Sequence, residues 1–230
     1  MIIYVTFTTM SKVIHPYSHR LGIIRGWKSR WFGARGEYQK FLRGDVLLRE
    51  YLEKRLRNNY IADIEIERGG KSMKVLIKTS RPGMLIGRAG EHMQKLKSDL
   101  VKEMRRQKVS LPAEFSIDVE EVRSPESNAA IVSHMIEEGL EKRLPFRRVI
   151  KQTIEKVMAN REVKGARIGL SGRLGGAEMS RTEDLKRGGI PLQTFRADID
   201  FARGRAHLPY GDIGIKVWIY KGQVFDKQKQ

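Results

Sequence analysis

The sequence predicts an α+β protein with two folded units behind a basic N-terminal extension. Segments in which apolar residues alternate with polar ones are interleaved with segments in which apolar residues recur every three or four positions. Ser124-Pro125 separates one interleaved block from the next. With 230 residues, 40% of them apolar, the chain can form one large domain or two modest ones. We predict an extension over residues 1–43, a first unit over 44–123, and a second unit of two helices plus a mixed β-sheet over 124–230.

The charge of the chain predicts a polyanionic partner. Lysine and arginine number 45 against 27 acidic residues, which gives a formal net charge of +18. Nucleic acid is the usual partner of such a protein. A membrane partner is not expected, because the basic residues are spread over several segments instead of lining one amphipathic helix. The chain has no cysteine and its five histidines are scattered, so we expect neither a metal nor another cofactor.

The extension alternates cations with aromatic rings. Aromatic and guanidinium planes stack on bases while the charges hold phosphates, so this pattern predicts RNA contacts. The alternative is a loop whose tryptophans fill the core, and both can hold. Residues 1–9 predict a short strand or a leader, too short to span a bilayer and without a cleavage pattern, so we expect a cytoplasmic protein. The candidate RNA-binding residues of the extension are Arg20, Arg25, Trp27, Lys28 and Arg30.

The first unit begins with a predicted helix from an Asp45 cap to about Asn59, followed by two strands joined by a turn at Arg68–Lys71. The segment Gly87-Arg88-Ala89-Gly90 then opens a helix that runs to about Arg106, and the strand "EFSIDVEEV" closes the unit. This is the element order of a type II KH domain, whose GXXG loop clamps the backbone of about four nucleotides. The alternative is a tight turn between helices with no ligand.

The second unit is predicted to begin with two helices. Ser124 is the expected cap of a helix from Pro125 to about Arg143, and Pro145 opens another that ends near Asn160. On the polar face of the latter, Arg147, Arg148 and Lys151 fall within about 100° of arc. We call these three residues the basic stripe. From spacing alone, an ordinary solvated face is the favoured interpretation.

The last third of the chain predicts three strands and one long loop. The strands lie in "GARIGLSG", "TFRADIDFARG" and "GIKVWIYKG", and residues 173–193 between the first two are predicted to be a glycine-rich loop. A loop of this length with this chemistry is expected to be functional, because its glycines let the backbone approach a phosphodiester closely. Its candidate RNA-binding residues are Arg173, Arg181, Lys186 and Arg187.

Several of these motifs together resemble one family. "SKVIHPYSHRLGI", "PGMLIGRAGE", "PFRRVIK" and "SGRLGGAEMSRTE" with "GGIPLQTFRADIDFARG" are similar to the bacterial-type members of the ribosomal protein S3 family, over nearly the whole chain from Met10. The resemblance implies a structural protein in the head of the small ribosomal subunit, with a KH domain and a family-specific α/β domain that both contact ribosomal RNA. It also implies a position at the messenger RNA entry channel, where the basic stripe matches residues associated with unwinding structured messenger RNA.

The same resemblance implies further partners. Ribosomal proteins S10 and S14 are expected neighbours, with S2 and S5 nearby. Two rival functions remain: a free KH-type RNA-binding regulator, and a nucleic-acid enzyme such as a lyase or nuclease. An enzyme is not expected, because we interpret the clustered carboxylates as ion-pair partners of nearby arginines. Those carboxylates are Glu178, Glu183, Asp184, Asp198 and Asp200.

Overall fold

A computed structural model describes residues 14–34, 36–70, 72–109, 111–112 and 114–225. The strand or leader predicted over residues 1–9 lies outside the described residues, as does Lys71 in the predicted turn. The helices are α1 Pro16–His19, α2 Tyr38–Arg55, α3 Pro82–Ile86, α4 Glu91–Arg106, α5 Ala129–Glu141 and α6 Phe146–Ala159. The strands are β1 Ser29–Arg30, β2 Ile61–Arg68, β3 Ser72–Thr79, β4 Glu114–Glu121, β5 Gly165–Gly172, β6 Arg181–Gly188, β7 Ala197–Leu208 and β8 Gly211–Gln223.

The first unit has the predicted order of helix, two strands, two helices and a strand. Its sheet runs β1-β2-β3-β4, with β2 and β3 antiparallel and β3 and β4 parallel. Helices α2 and α4 cover one face of this sheet, and their apolar stripes meet the inward side chains of the strands. Leu52, Leu100 and Ile77 are completely buried in this core. Burying each such side chain contributes roughly 1.5–3 kcal/mol, which fixes the two helices against the sheet.

Helix α2 begins earlier than predicted and crosses the predicted boundary between residues 43 and 44. Asp45 lies inside the helix, not at its cap. Its carboxylate is buried and accepts hydrogen bonds from the Trp31 indole at 2.6 Å and the Arg68 guanidinium at 2.9 Å. The capping interpretation was wrong because a buried acid with two long-range donors has the same sequence appearance as an N-cap.

The second unit packs α5 and α6 on a four-stranded sheet of order β6-β5-β8-β7. All three strand pairs are antiparallel, so the mixed sheet belongs to the first unit and the mixed sheet predicted for the second unit is corrected. Helix α5 starts at Ala129, where the Asn128 side chain accepts from two backbone N–H groups, and not at Pro125. Pro125–Ser127 forms a single 3-10 turn instead. The α-helix begins only after Asn128, because the side chain of this residue caps the first backbone N–H groups.

The long loop predicted over residues 173–193 contains a strand. Strand β6 pairs with β5 from Gly165↔Gly188 to Gly172↔Arg181 and forms an edge of the sheet. Its sequence RTEDLKRG carries mostly charged, exposed side chains and only one large apolar residue, Leu185. Edge strands are commonly charged because charges discourage further strand pairing. The apolar alternation used to predict strands is therefore missing from it.

The N-terminal segment connects the two units. Helix α1 packs on β7 of the second unit, and β1 pairs in parallel with β2 of the first unit through Ser29↔Ile66 and Arg30↔Glu67. His15 meets the Phe201 ring edge-on at 4.7 Å, and His19 stacks on Phe195 at 4.3 Å. We call residues 14–30 the strap, since this one segment contacts both sheets.

Candidate nucleic-acid interface

The GXXG loop joins α3 to α4, as predicted, in a strongly turned conformation. Gly87 has φ +71° and Gly90 has φ +80°. A Cβ on Gly87 would lie 2.7 Å from Cγ of His92, so only glycine fits at this position. Between the glycines, Arg88 and Ala89 are exposed. The loop therefore presents a backbone without side-chain bulk at both ends and one guanidinium in its centre.

Helix α4 starts directly at this loop. Gly90 is its N-cap and offers no side chain to the first backbone N–H groups. These donors and the positive end of the helix dipole favour an anion such as phosphate. The helix continues with exposed lysines and arginines that the motif analysis missed, among which Lys95, Lys102 and Arg106 are spaced to share one face. Their regular spacing along the helix is the sequence signal that could have identified them.

The basic stripe lies on the solvent side of α6. Arg147, Arg148 and Lys151 are all exposed, while Ile150 and Ile154 on the opposite face are buried in the core. Arg147 donates to the Glu183 carboxylate on β6, with distances of 3.2 and 3.3 Å from its two nitrogens. Among the described residues, Arg148 and Lys151 form no ion pair. The stripe thus keeps two free cations and one cation shared with a carboxylate.

Strand β6 adds a further cation to this surface. Arg181 lies 3.6 Å from the Glu183 carboxylate, and both Arg181 and Arg147 lie over the Phe146 ring, at 5.7 and 5.6 Å. The hydrogen bond from Arg147 holds the pKa of Glu183 below its ordinary value, and the same bond raises the pKa of Arg147. Glu183 therefore stays ionised at neutral pH. The four cations on this side of the protein form one surface, which we call the α6–β6 basic surface; they are Arg147, Arg148, Lys151 and Arg181.

The other candidates of residues 173–193 are placed differently. Arg173 donates to the carbonyls of Ala177 at 2.8 Å and Tyr210 at 3.1 Å, so it holds the turn before β6. Arg187 pairs with Glu155 of α6 at 3.7 Å, and Lys186 is exposed. Arg187 and Lys186 keep their charges at the surface, whereas Arg173 has a structural role in this arrangement.

Arg20 does not have the position expected of an RNA-binding residue. Its side chain is 0% exposed. The guanidinium donates to the backbone carbonyls of Ala197 at 2.6 Å, Leu192 and Thr194 at 2.9 Å, and Pro16 at 3.0 Å. The prediction for Arg20 is corrected, because each of the three guanidinium nitrogens already donates to carbonyls of the chain itself.

The remaining strap candidates are nearer the surface, and three of them pair with acids. Arg25 lies 2.6 Å from Asp198, Lys28 lies 2.9 Å from Asp63, and Arg30 lies 3.6 Å from Glu67. Trp27 is 69% exposed and is free to stack on a base, whereas Trp31 is fixed by Asp45. Base stacking by Trp27 stays a prediction, while Trp31 packs beside Tyr38 and Phe41 and is half-buried, outside the hydrophobic cores.

The clustered carboxylates are mostly engaged by the fold. Glu183 and Asp184 pair with arginines, as does Asp198. Asp200 accepts from the Ala129 N–H at the start of α5. Within the described residues, no group of three acidic or histidine side chains is arranged to hold a metal, and no helix is long and apolar enough to cross a membrane.

Family models match both units of the chain. The model described as "KH domain" matches residues 47–127, and the one described as "Ribosomal protein S3, C-terminal domain" matches residues 136–219. The small ribosomal subunit protein uS3 of Lawsonia intracellularis is 44% identical over 220 residues, covering 95% of this chain and 99% of its own length. The chain belongs to the uS3 family. This confirms the resemblance in the motifs and the assignment of a KH domain followed by a family-specific domain.

Other uS3 proteins match to the same degree. That of Caldicellulosiruptor saccharolyticus is 42% identical over 219 residues, covering 95% of this chain and 96% of its own. That of Solibacter usitatus is 42% identical over 221 residues, covering 96% of this chain but 62% of its own length. The uS3 alignment thus extends well beyond the ranges matched by the two domain models and includes much of the strap.

Proposed function

We propose that this uS3 family member is a structural constituent of the small ribosomal subunit and binds ribosomal RNA through both units. The KH loop supplies the first contact: Gly87 and Gly90 bring the backbone close to a phosphate, Arg88 adds a positive charge, and the start of α4 adds N–H donors. The exposed cations Lys186 and Arg187 on β6 and the exposed ring of Trp27 extend RNA contact to the rest of the molecule.

Messenger RNA is the second ligand that we propose. The α6–β6 basic surface would line the messenger RNA entry channel and hold the separated strands of a structured message by their phosphates. The observation that carries this is the exposure of Arg148 and Lys151 without an ion pair among the described residues, next to Arg147 and Arg181. A fixed array of cations attracts phosphates electrostatically, and translocation supplies the work. The mechanism requires no catalytic group in this chain.

The proposed protein neighbours follow from membership of the uS3 family. We propose S10 and S14 as contacting ribosomal proteins in the subunit head, with S2 and S5 nearby.

The KH loop and the α6–β6 basic surface belong to different units, so the two surfaces are available to different RNA segments.

The test combines ribosome profiles with translation through a stable messenger hairpin. Arg147→Ala/Arg148→Ala/Lys151→Ala is compared with wild type at matched salt, and an unstructured message is the control. We expect the triple variant to enter subunits normally and to translate the unstructured message at the wild-type rate but to stall at the hairpin. A variant that enters subunits and passes the hairpin like wild type would contradict the messenger RNA role. Absence of the wild-type chain from subunits would instead favour the free RNA-binding regulator.

A further inference from the structure

One exposed apolar side chain has no role in packing. Met179 is 83% exposed and lies in the turn between β5 and β6. Exposing a side chain of this size forgoes most of the free energy that burying it would give. The residues beside it, Glu178 and Ser180, are also exposed. Met179 is therefore an exposed apolar side chain between two exposed polar ones.

The turn that carries Met179 is anchored at both ends. Leu174 is 1% exposed in the core, and Arg173 donates to the Ala177 carbonyl at 2.8 Å. On the other side, Arg181 begins β6 and pairs with Gly172 of β5. Because both ends of the turn are fixed, the Met179 backbone is held in a defined position. A side chain that inserts into a ligand needs such a fixed position.

Met179 is also close to the α6–β6 basic surface. It lies two residues before Arg181 and four before Glu183, which binds Arg147. Four residues of extended chain span at most about 14 Å, which is about four stacked base pairs at ~3.4 Å each. An RNA held by the cations is therefore within reach of the methionine.

We propose that Met179 acts as an apolar wedge that enters between the bases of a structured RNA at the α6–β6 basic surface. Methionine is among the apolar side chains that proteins insert between base steps to unstack them. The cations hold the phosphates of the two strands, and the flexible thioether occupies the space between bases as they part. This inference rests on the proposed function, since the RNA is the one that the basic surface holds.

The test uses assembled subunits that carry Met179→Ala, with Met179→Leu as the conservative variant and Leu42→Ala as the control. Leu42 is 45% exposed on α2 of the other unit, so its truncation removes exposed apolar surface away from the α6–β6 basic surface. We measure translation through a stable hairpin and through an unstructured message. Met179→Ala is expected to slow passage through the hairpin about threefold or more and to leave the unstructured message unchanged. Met179→Leu and Leu42→Ala are expected to behave like wild type.

Three results would overturn the wedge. Equal hairpin rates for Met179→Ala and wild type would show that the side chain does not act on bases. Loss of subunit entry by Met179→Ala would assign the side chain to docking on ribosomal RNA. Equal slowing by Met179→Ala and Met179→Leu would exclude a role for apolar bulk. The triple variant of the basic stripe, run in parallel, separates the claims: if it stalls and Met179→Ala does not, only the wedge fails.

Discussion

At the scale of single residues, burial decides which cations are available to RNA. Arg20 and Arg148 both look like surface arginines in the sequence, yet the first is completely buried and the second is exposed. The buried guanidinium donates to carbonyls along the 191–197 segment and thereby fixes α1 on β7. Its charge serves the fold, whereas that of Arg148 remains available to a ligand.

We expect Arg20→Ala to destabilise the chain by about 2–4 kcal/mol, because it leaves several buried carbonyls without donors. Arg20→Lys should also destabilise it, since an ammonium group cannot reproduce the planar fork. Urea unfolding measures the free energy of unfolding directly. Arg196→Ala is the control, since Arg196 is exposed. An Arg20→Ala variant as stable as this control would contradict the structural role of Arg20.

His15 makes the strap sensitive to acid. Burial lowers its pKa, and the neighbouring charges of Arg203 and Lys28 lower it further. A histidine whose pKa is lower in the folded state does not affect stability at a pH well above its unfolded pKa of about 6.5. As the pH falls below that value, the unfolded chain binds the proton more readily, so the free energy of unfolding decreases. Protonation of Nδ1 also removes the acceptor for the Tyr17 N–H.

We therefore expect the wild-type free energy of unfolding to fall between about pH 7 and pH 5.5 by more than that of His15→Asn. Asparagine can cap α1 in place of the imidazole but does not titrate in this range. Chemical unfolding at several pH values makes the comparison. Parallel curves for the two proteins would show that His15 does not titrate with folding.

At the scale of elements, the sequence predicted the helices and strands that have apolar stripes and missed the charged strand β6. Helices α4 and α6 and strands β5 and β8 have regular apolar stripes, so their positions follow from hydrophobic burial alone. Strand β6 is an edge with mostly exposed side chains, and its position depends on pairing with β5, which no local pattern reports. The basic stripe was predicted residue by residue, but its contact with Arg181 through Glu183 required the position of β6.

Glu183 limits the charge of the α6–β6 basic surface. It is shared between Arg147 and Arg181, so Glu183→Gln removes one negative charge and leaves both cations in place. We expect the variant to bind a hairpin RNA several-fold more tightly at low salt, with a steeper dependence of the affinity on salt. Stability should change by less than about 1 kcal/mol, because exposed ion pairs contribute little. Salt-dependent binding titrations measure the effect, and Asp118→Gln, a charge loss on the first unit, is the control.

An unchanged affinity in Glu183→Gln would mean that RNA does not contact this surface in the free chain. An equal gain in Asp118→Gln would mean that the effect comes from net charge alone. With either result, Glu183 would have no specific influence on RNA binding at the α6–β6 basic surface.

At the scale of the whole molecule, the strap joins two units that are predicted from the sequence as separate domains. It packs on β7 of the second unit and adds β1 to the sheet of the first. A further contact crosses between them, since Arg57 donates to Glu141 at 2.8 Å and to the Arg205 carbonyl at 2.9 Å. Such long-range contacts carry no local signal, which is why the sequence leaves RNA binding and packing within the protein as alternatives for the extension. In the uS3 family member described here, part of it binds the protein itself.

The central claim, that α6 faces incoming messenger RNA, is tested most directly by a photo-crosslinker at Gln152 in assembled ribosomes. Gln152 is exposed, follows Lys151 and lies one turn from Arg148, so the probe leaves every cation of the stripe in place. We predict crosslinks to messenger RNA on the side that has yet to be read, and fewer of them in the triple variant of the stripe. Crosslinks to ribosomal RNA alone would contradict the claim and assign the stripe to anchoring the protein in the subunit.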